Sequence, residues 1–353
     1  MKPGFTMADV MIRYAINCHD NDLGWWHDGR CIDWLVDGKT LTNENTILIA
    51  EHLLSHYYGQ YDPESRTITT PIIQRPKWLH SGLWWLYIRV RYPLLRHVIF
   101  CNTVGWAATL RNKVIKYLGF VTWFYMYSAN TGDMFGDEKS EHFANMNYAH
   151  YLCWHKQQQD YFQKNDAEGT FHIVGVPFAD IPFRERTAKT VKPGVVVFYD
   201  TSFPNKYTSI KDYVEFLEYI IEYKRMRPLE DVYLKLKKPM LPGMAERDNT
   251  PYADWDAGIE NYTCKWEDTP NGDIKRLLLE LPSKGITILK PSYSNNTILK
   301  EAGFIIAMPY TSIVLEALAC GCMATWWNGF KSPEDYVPFR DGMCGDRIRR
   351  LLK

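Results

Sequence analysis

The sequence predicts an α/β protein of two domains, each built on a parallel sheet. Residues 285–328 carry the first reason. They read GITILKP, SYSNNTILKEAG, FIIAMP, YTSIVLEALACG and CMATWWN, that is strand, helix, strand, helix, strand. The strand pieces are short apolar runs without period-two alternation, the mark of strands covered on both faces. Strands joined through helices run parallel. The second reason is that the first half repeats this alternation. The third is length: 353 residues suit two domains better than one. Gly175-Val176-Pro177 and the polar run to Lys192 read as the hinge, giving domains 1–177 and 178–353.

The elements follow in order. Residues 1–45 are polar and poorly periodic, with a first strand at Ile32–Val36, as if a leading strand–helix unit were missing or rebuilt. Thr46–Glu51 is a second strand. No glycine-rich turn of dinucleotide-binding type accompanies them. A helix spans Trp78–Tyr92 and stops before Pro93. Strands at 97–101, 121–127, 150–154 and 171–175 alternate with helices at 107–118 and 156–166. The second half opens with the buried strand VVVFYD (195–200). A helix follows from Ile210 to about Arg225, then the strand DVYLKLKKP (231–239). Residues 239–272 hold many Pro, Gly, Asp and Asn and read as an insertion before a helix at Ile274–Glu280. In the helix after FIIAMP, Pro309 closes the strand, Thr311 or Ser312 serves as N-cap, and Gly321 ends the last turn.

Composition excludes several classes. The formal net charge is +0, which argues against a nucleic-acid binder. No stretch approaches the ~20 apolar residues of a membrane span, and the first 22 residues lack the apolar core of a secretory signal. Apart from Cys320 and Cys322 the eight cysteines are widely spaced, and they suggest no disulfide framework. Cys320 and Cys322 flank a helix–strand junction where small residues fit. These features point to a cytoplasmic protein.

One stretch departs from this neutrality. Between Glu64 and Asp133 there is no acidic residue, yet Arg66, Arg75, Lys77, Arg89, Arg91, Arg96, Arg111, Lys113 and Lys116 lie there. Trp78, Trp84, Trp85, Tyr87 and Tyr92 are interleaved. As a helix, one face holds Leu83, Leu86, Tyr87 and Val90, and another Trp85, Arg89 and Tyr92. Two readings stand: an anionic membrane surface met by residues 76–96 on the inner face of the membrane, or a core helix whose arginines snorkel or pair with the acidic cluster at 133–141.

Ligands of parallel sheets sit at the carboxyl ends of the strands. In the second domain, Ser202 and Lys206 follow the first strand, and Lys235 and Lys237 end the next. Thr311 and Ser312 open a helix whose first turn contains Glu316. Lysines beside a helix N-terminus offer a diphosphate cations, free N–H groups and a positive dipole end. Glu316 could accept from a ribose diol, or could sit there because the dipole favours a carboxylate. Lys235 and Lys237 could equally be a solvated strand end.

The order strand, TSIVLEALACG helix, strand resembles the donor-binding half of glycosyltransferases of the B fold. These have two Rossmann-like domains facing across a cleft. More narrowly it is similar to bacterial surface-polysaccharide transferases, including the CDP-glycerol glycerophosphotransferase group. Pro309-Tyr310-Thr311-Ser312, Glu316 and Gly321 carry that likeness, together with HIVGVPFAD (172–180) as an interdomain segment. The resemblance covers mostly residues 170–330. It implies a nucleotide-sugar donor held by Ser202, Lys206, Lys235, Lys237, Tyr310, Thr311, Ser312 and Glu316. It implies a carbohydrate or lipid-linked acceptor near Asn102 and Thr103. The chain departs from the group in lacking a histidine in the turn 102–105 and in lacking a glutamate eight residues from Glu316, where Met308 and Ala324 stand.

The expected chemistry is metal-independent transfer of a sugar or polyol phosphate, without a cofactor. Asp133, backed by His142, is the candidate base on the acceptor hydroxyl; Asp133 also suits a plain turn. Asp254-Trp255-Asp256 has the spacing of a metal-binding DxD but follows no apolar strand. The alternatives are a non-catalytic interaction subunit of the same fold and a nucleotide-sugar 2-epimerase.

Overall fold

The computed structural model describes residues 10–14, 46–50, 72–74, 81–93, 95–101, 106–126, 139, 143–176, 179–201, 208–237, 270–289, 293–329 and 332–352. The chain divides into two compact units, Met1–Asp180 with Met343–Lys353, and Ile181–Gly342. The last eleven residues thus belong to the first unit, although the sequence alone assigned them to the second. Asp180 explains their return. Its carboxylate, 4% exposed, accepts from the N–H groups of Cys344 at 3.1 Å and Gly345 at 2.7 Å. It thereby satisfies orphan donors of a C-terminal helix that the sequence reading missed.

The first unit contains a seven-stranded sheet of order β3-β2-β1-β4-β5-β6-β7. Its strands are β1 (Val10–Tyr14), β2 (Thr46–Ala50), β3 (Ile72–Gln74), β4 (His97–Cys101), β5 (Val121–Tyr125), β6 (His150–Cys153) and β7 (Thr170–Ile173). Every pairing is parallel. Its described helices are α1 (Ser81–Arg91), α2 (Trp106–Tyr117) and α3 (Lys156–Lys164), with α4 (Asp180–Glu185) beginning where the unit ends. The expectation of no strand before Ile32 is corrected: β1 lies mid-sheet, with Ile12 opposite both Leu48 and Ile99. The expected strand at 32–36 lies outside the described residues.

The second unit holds a five-stranded parallel sheet of order β10-β9-β8-β11-β12. Its strands are β8 (Lys192–Tyr199), β9 (Asp231–Lys235), β10 (Ile286–Leu289), β11 (Ala302–Ala307) and β12 (Met323–Trp326). Its helices are α5 (Ile210–Met226), α6 (Pro270–Glu280), α7 (Asn295–Glu301) and α8 (Ile313–Ala319); α9 (Cys344–Leu351) is the helix that rejoins the first unit. Both strand orders are those of Rossmann-like sheets, with the first strand inside and the chain stepping outward on each side.

Local signals account for these elements. Ser209 caps α5 through a reciprocal capping box with Asp212. Tyr213, Phe216, Leu217 and Ile220, at helical spacing, fill the second core with Phe198, Leu234 and Leu278. All of α8 is buried, Glu316 of its first turn included, and its other residues are apolar all round. It ends in a Schellman turn: Cys322 N–H reaches Ala317 O at 2.9 Å and Gly321 N–H reaches Leu318 O at 3.0 Å, with Gly321 at φ +77°.

The first core is aromatic, with Trp84, Trp85, Phe100, Phe124, Tyr148 and Phe162 in one cluster. Trp85 is buried, not part of an outer face. Arg89 donates from Nη1 to the carbonyls of Pro93 and Leu95, both at 3.1 Å, and so closes the end of its own helix. Arg111 lies 4.0 Å over the Phe100 ring and donates to the Tyr148 hydroxyl at 3.0 Å. Two of the nine cations are therefore structural.

Candidate functional site

The second sheet reverses direction between β8 and β11, since β9 lies on one side of β8 and β11 on the other. The loops leaving such a pair diverge and open a crevice at the carboxyl ends. Backbone bonds fix the two rims. Met308 N–H donates to Tyr199 O at 2.9 Å, and Asp200 N–H to Lys235 O at 3.3 Å.

Asp200 follows β8 and is 2% exposed. Its Oδ2 accepts from the Tyr213 hydroxyl at 2.9 Å and its Oδ1 from the Lys237 backbone N–H. Burial pushes its carboxyl up to about 7, against the opposing pull of the Tyr213 and Lys237 hydrogen bonds and the charges of Lys235 and Lys237. With an acceptor oxygen committed to each of two elements, Asp200 ties the β9 end to α5. That makes it a positioning group for the lysines. Lys235 is 5% exposed, so of the two lysines it is the one turned inward, while Lys237 is exposed.

On the β11 side, Tyr310 holds φ +64°, which is strained for a bulky residue by roughly 1–3 kcal/mol. Trp326 Nε1 donates to Thr311 O at 3.1 Å and pins the following peptide. The Thr311 hydroxyl is buried and makes no hydrogen bond among the described residues. Ser312 takes the N-cap position of α8 but in helical angles, and its side chain does not cap the helix. Glu316, in the first turn, is 3% exposed.

Of the candidate residues, Lys235 and Lys237 stand at one rim beside Asp200, and Tyr310, Thr311, Ser312 and Glu316 at the other. Asp133, His142, Asn102, Thr103, Ser202 and Lys206 lie outside the described residues. Sequence reasoning missed Asp200 and Tyr213. The available signal was an apolar strand ending in Asp beside a strand ending in lysines.

It also missed Trp154-His155 after β6. His155 is 1% exposed and caps α3, its Nδ1 accepting from Gln158 N–H at 3.1 Å; burial lowers its pKa to about 4. Toward the other end of that sheet, His150 Nδ1 lies 3.1 Å from His172 Nε2, both stacked on Trp123, and burial lowers both imidazoles. Among the described residues no group of three or more His, Cys, Asp or Glu is placed to hold a metal ion.

The family described as "Polysaccharide biosynthesis PFTS motif protein" matches residues 90–254. No curated protein matches the chain in sequence. Among solved structures, similarity extends to Anabaena Alr3699/HepE in complex with UDP and glucose, at 10% identity and TM-score 0.49, covering 90% of this chain and 80% of that one. A UDP-forming trehalose-phosphate synthase from Burkholderia xenovorans is 8% identical, with TM-score 0.43 and coverage of 98% and 91%. The E. coli heptosyltransferase WaaC, bound to an ADP-fluoroheptose, is 10% identical, with TM-score 0.35 and coverage of 98% of each chain. These likenesses are distant, and the fold rests on the strand orders above.

Proposed function

We propose that the chain is a glycosyltransferase taking a nucleotide-activated donor at the carboxyl ends of the second sheet. It would transfer a sugar or polyol phosphate to a polysaccharide or lipid-linked acceptor. The observation that carries this reading is the inward lysine, Lys235, set beside buried Asp200 at the point where the strand order reverses. A lysine charge held at low exposure at the carboxyl end of a strand attracts a donor diphosphate more strongly than a solvated one does, and the Thr311 hydroxyl and Glu316 on the other rim are the groups proposed for the nucleoside. Two Rossmann-like sheets and the polysaccharide-biosynthesis match support the same reading. The letters PFTS in that family's description are also met here, with tyrosine for phenylalanine, at Pro309-Tyr310-Thr311-Ser312, beyond the matched stretch.

In mechanism, Lys235 and Lys237 neutralise charge on the leaving nucleotide as the bond to the transferred group breaks: a nucleoside diphosphate leaves when a sugar is transferred, a nucleoside monophosphate when a polyol phosphate is. Asp200 sets their position. Asp133, with His142, is the proposed base that takes the acceptor proton. Metal independence is part of the proposal.

The test is thermal unfolding against UDP, GDP, CDP, ADP and dTDP. A ligand at 100 times its Kd adds about 2.7 kcal/mol to stability, which is a visible shift. One nucleotide should stabilise the protein, and its sugar or polyol conjugate should release the free nucleotide when acceptor is supplied. If no nucleotide shifts unfolding, the reading fails. Binding without turnover on any acceptor would instead mark a non-catalytic subunit of the same fold.

A further inference from the structure

We propose that α1 and α2 form a face that seats on an anionic lipid bilayer. The first observation is that α1 is apolar on both sides. Trp84, Trp85 and Ile88 point into the core, at 2%, 0% and 0% exposure. Leu83, Leu86, Tyr87 and Val90 form the outer stripe at i, i+3, i+4 and i+7 and are 58%, 47%, 48% and 74% exposed. A helix apolar on two opposite sides is normally covered on both; this one leaves its outer stripe open. α2 packs beside it and extends the face with Leu110 and Tyr117, 59% and 91% exposed.

The second observation is charge, and it selects the occupant. Arg89 and Arg111 are tied inside the unit and do not contribute. Arg91, Arg96 and Lys113 are exposed, and no acidic residue occurs anywhere between Glu64 and Asp133. An open apolar stripe edged by cations of one sign matches a surface with anionic headgroups above an acyl layer. A second copy packed about a two-fold axis would set the same cations against themselves. The helix of eleven residues is about 16 Å long at 1.5 Å per residue, so it lies in the interface and does not cross it. Among the described residues no helix is long and apolar enough to span.

The experiment is co-sedimentation of the full chain with vesicles of phosphatidylcholine, and of phosphatidylcholine with about one third phosphatidylglycerol. We expect binding to the anionic vesicles about tenfold or more tighter than to the neutral ones, weakening as salt shortens the Debye length. Leu86→Gln with Val90→Gln should lower it about tenfold at an unchanged melting temperature, because both side chains are exposed. Arg91→Gln with Lys113→Gln should reduce anionic binding to the neutral level. Should the apolar double variant not fold, Val90→Gln alone carries the test. Absence of sedimentation at low salt overturns the proposal, as does binding that neither double variant weakens. A concentration-dependent dimer lost in the apolar variant, without vesicle binding, identifies a second copy as the occupant and also overturns it.

Discussion

Tyr213, in the first turn of α5, donates a 2.9 Å hydrogen bond to Oδ2 of Asp200 at the end of β8, and both groups are fully buried. The contact joins a strand end to the helix that follows it and holds the Asp200 carboxylate toward the Lys237 backbone.

Tyr213→Phe removes one donor from a buried carboxyl and should destabilise the fold by about 1–3 kcal/mol in urea unfolding. The same contact sets a pH dependence. Burial raises Asp200 from about 3.9 in the unfolded chain to about 7 in the fold. The folded state therefore keeps the proton longer, and this group costs stability as pH rises through that window, with no further change above it. Asp200→Asn should flatten the fall between pH 4 and 7. An unchanged slope would show that Asp200 does not titrate there.

Lys235 and Glu316 should separate by ligand. A charge-assisted contact is worth about 1.5–3 kcal/mol, so Lys235→Met should weaken nucleoside diphosphate binding by about 10–100-fold and leave the nucleoside nearly untouched. Glu316→Gln, acting on the ribose, should weaken both alike while the ligand-free melting temperature stays close to that of the parent. Isothermal titration with the two ligands reads the difference. Equal loss of both in the lysine variant removes the phosphate contact.

His155 should make the first unit acid-sensitive. Its pKa is lowered to about 4 by burial, whereas the unfolded chain titrates near 6.5. Stability from the neutral ring is whole above that unfolded value and is lost as pH falls from about 6.5 to about 4. His155→Asn keeps a capping side chain without the titration and should unfold less readily at pH 5. His155→Ala should lose about 0.5–2 kcal/mol at neutral pH by giving up the cap to Gln158.

Two glycines should differ in cost. A Cβ on Gly303 would come 2.3 Å from Pro193 O, at the irregularity where β11 pairs with β8. Gly321 has open space and only its φ of +77° to defend. Gly321→Ala should cost about 1 kcal/mol by denaturant unfolding. Gly303→Ala should cost more, since backbone must move.

Much of the architecture was legible because its signals are local. Unbroken apolar runs such as VVVFY and FIIAM announce covered strands, and Gly321 announces a helix end. β1 escaped because Arg13 interrupts its apolar run and its polar flanks offer no period; only neighbours far along the chain make Val10–Tyr14 an inner strand. Lys235 and Lys237 could be picked as site candidates from a strand ending in lysines, but not which of them is buried.

By itself, then, the sequence determined the alternation of strands and helices, the parallel sheets that alternation requires, and the acid-free stretch from 65 to 132. Those properties depend on residues a few positions apart, or on composition alone. Tertiary structure decided the rest. It turned Lys235 inward beside Asp200, committed Arg89 to the end of its own helix while leaving Arg91 exposed, and brought Cys344 and Gly345 onto Asp180 across 164 and 165 residues. Burial and charge pairing arise between groups remote in the chain, and no local period records which groups will meet.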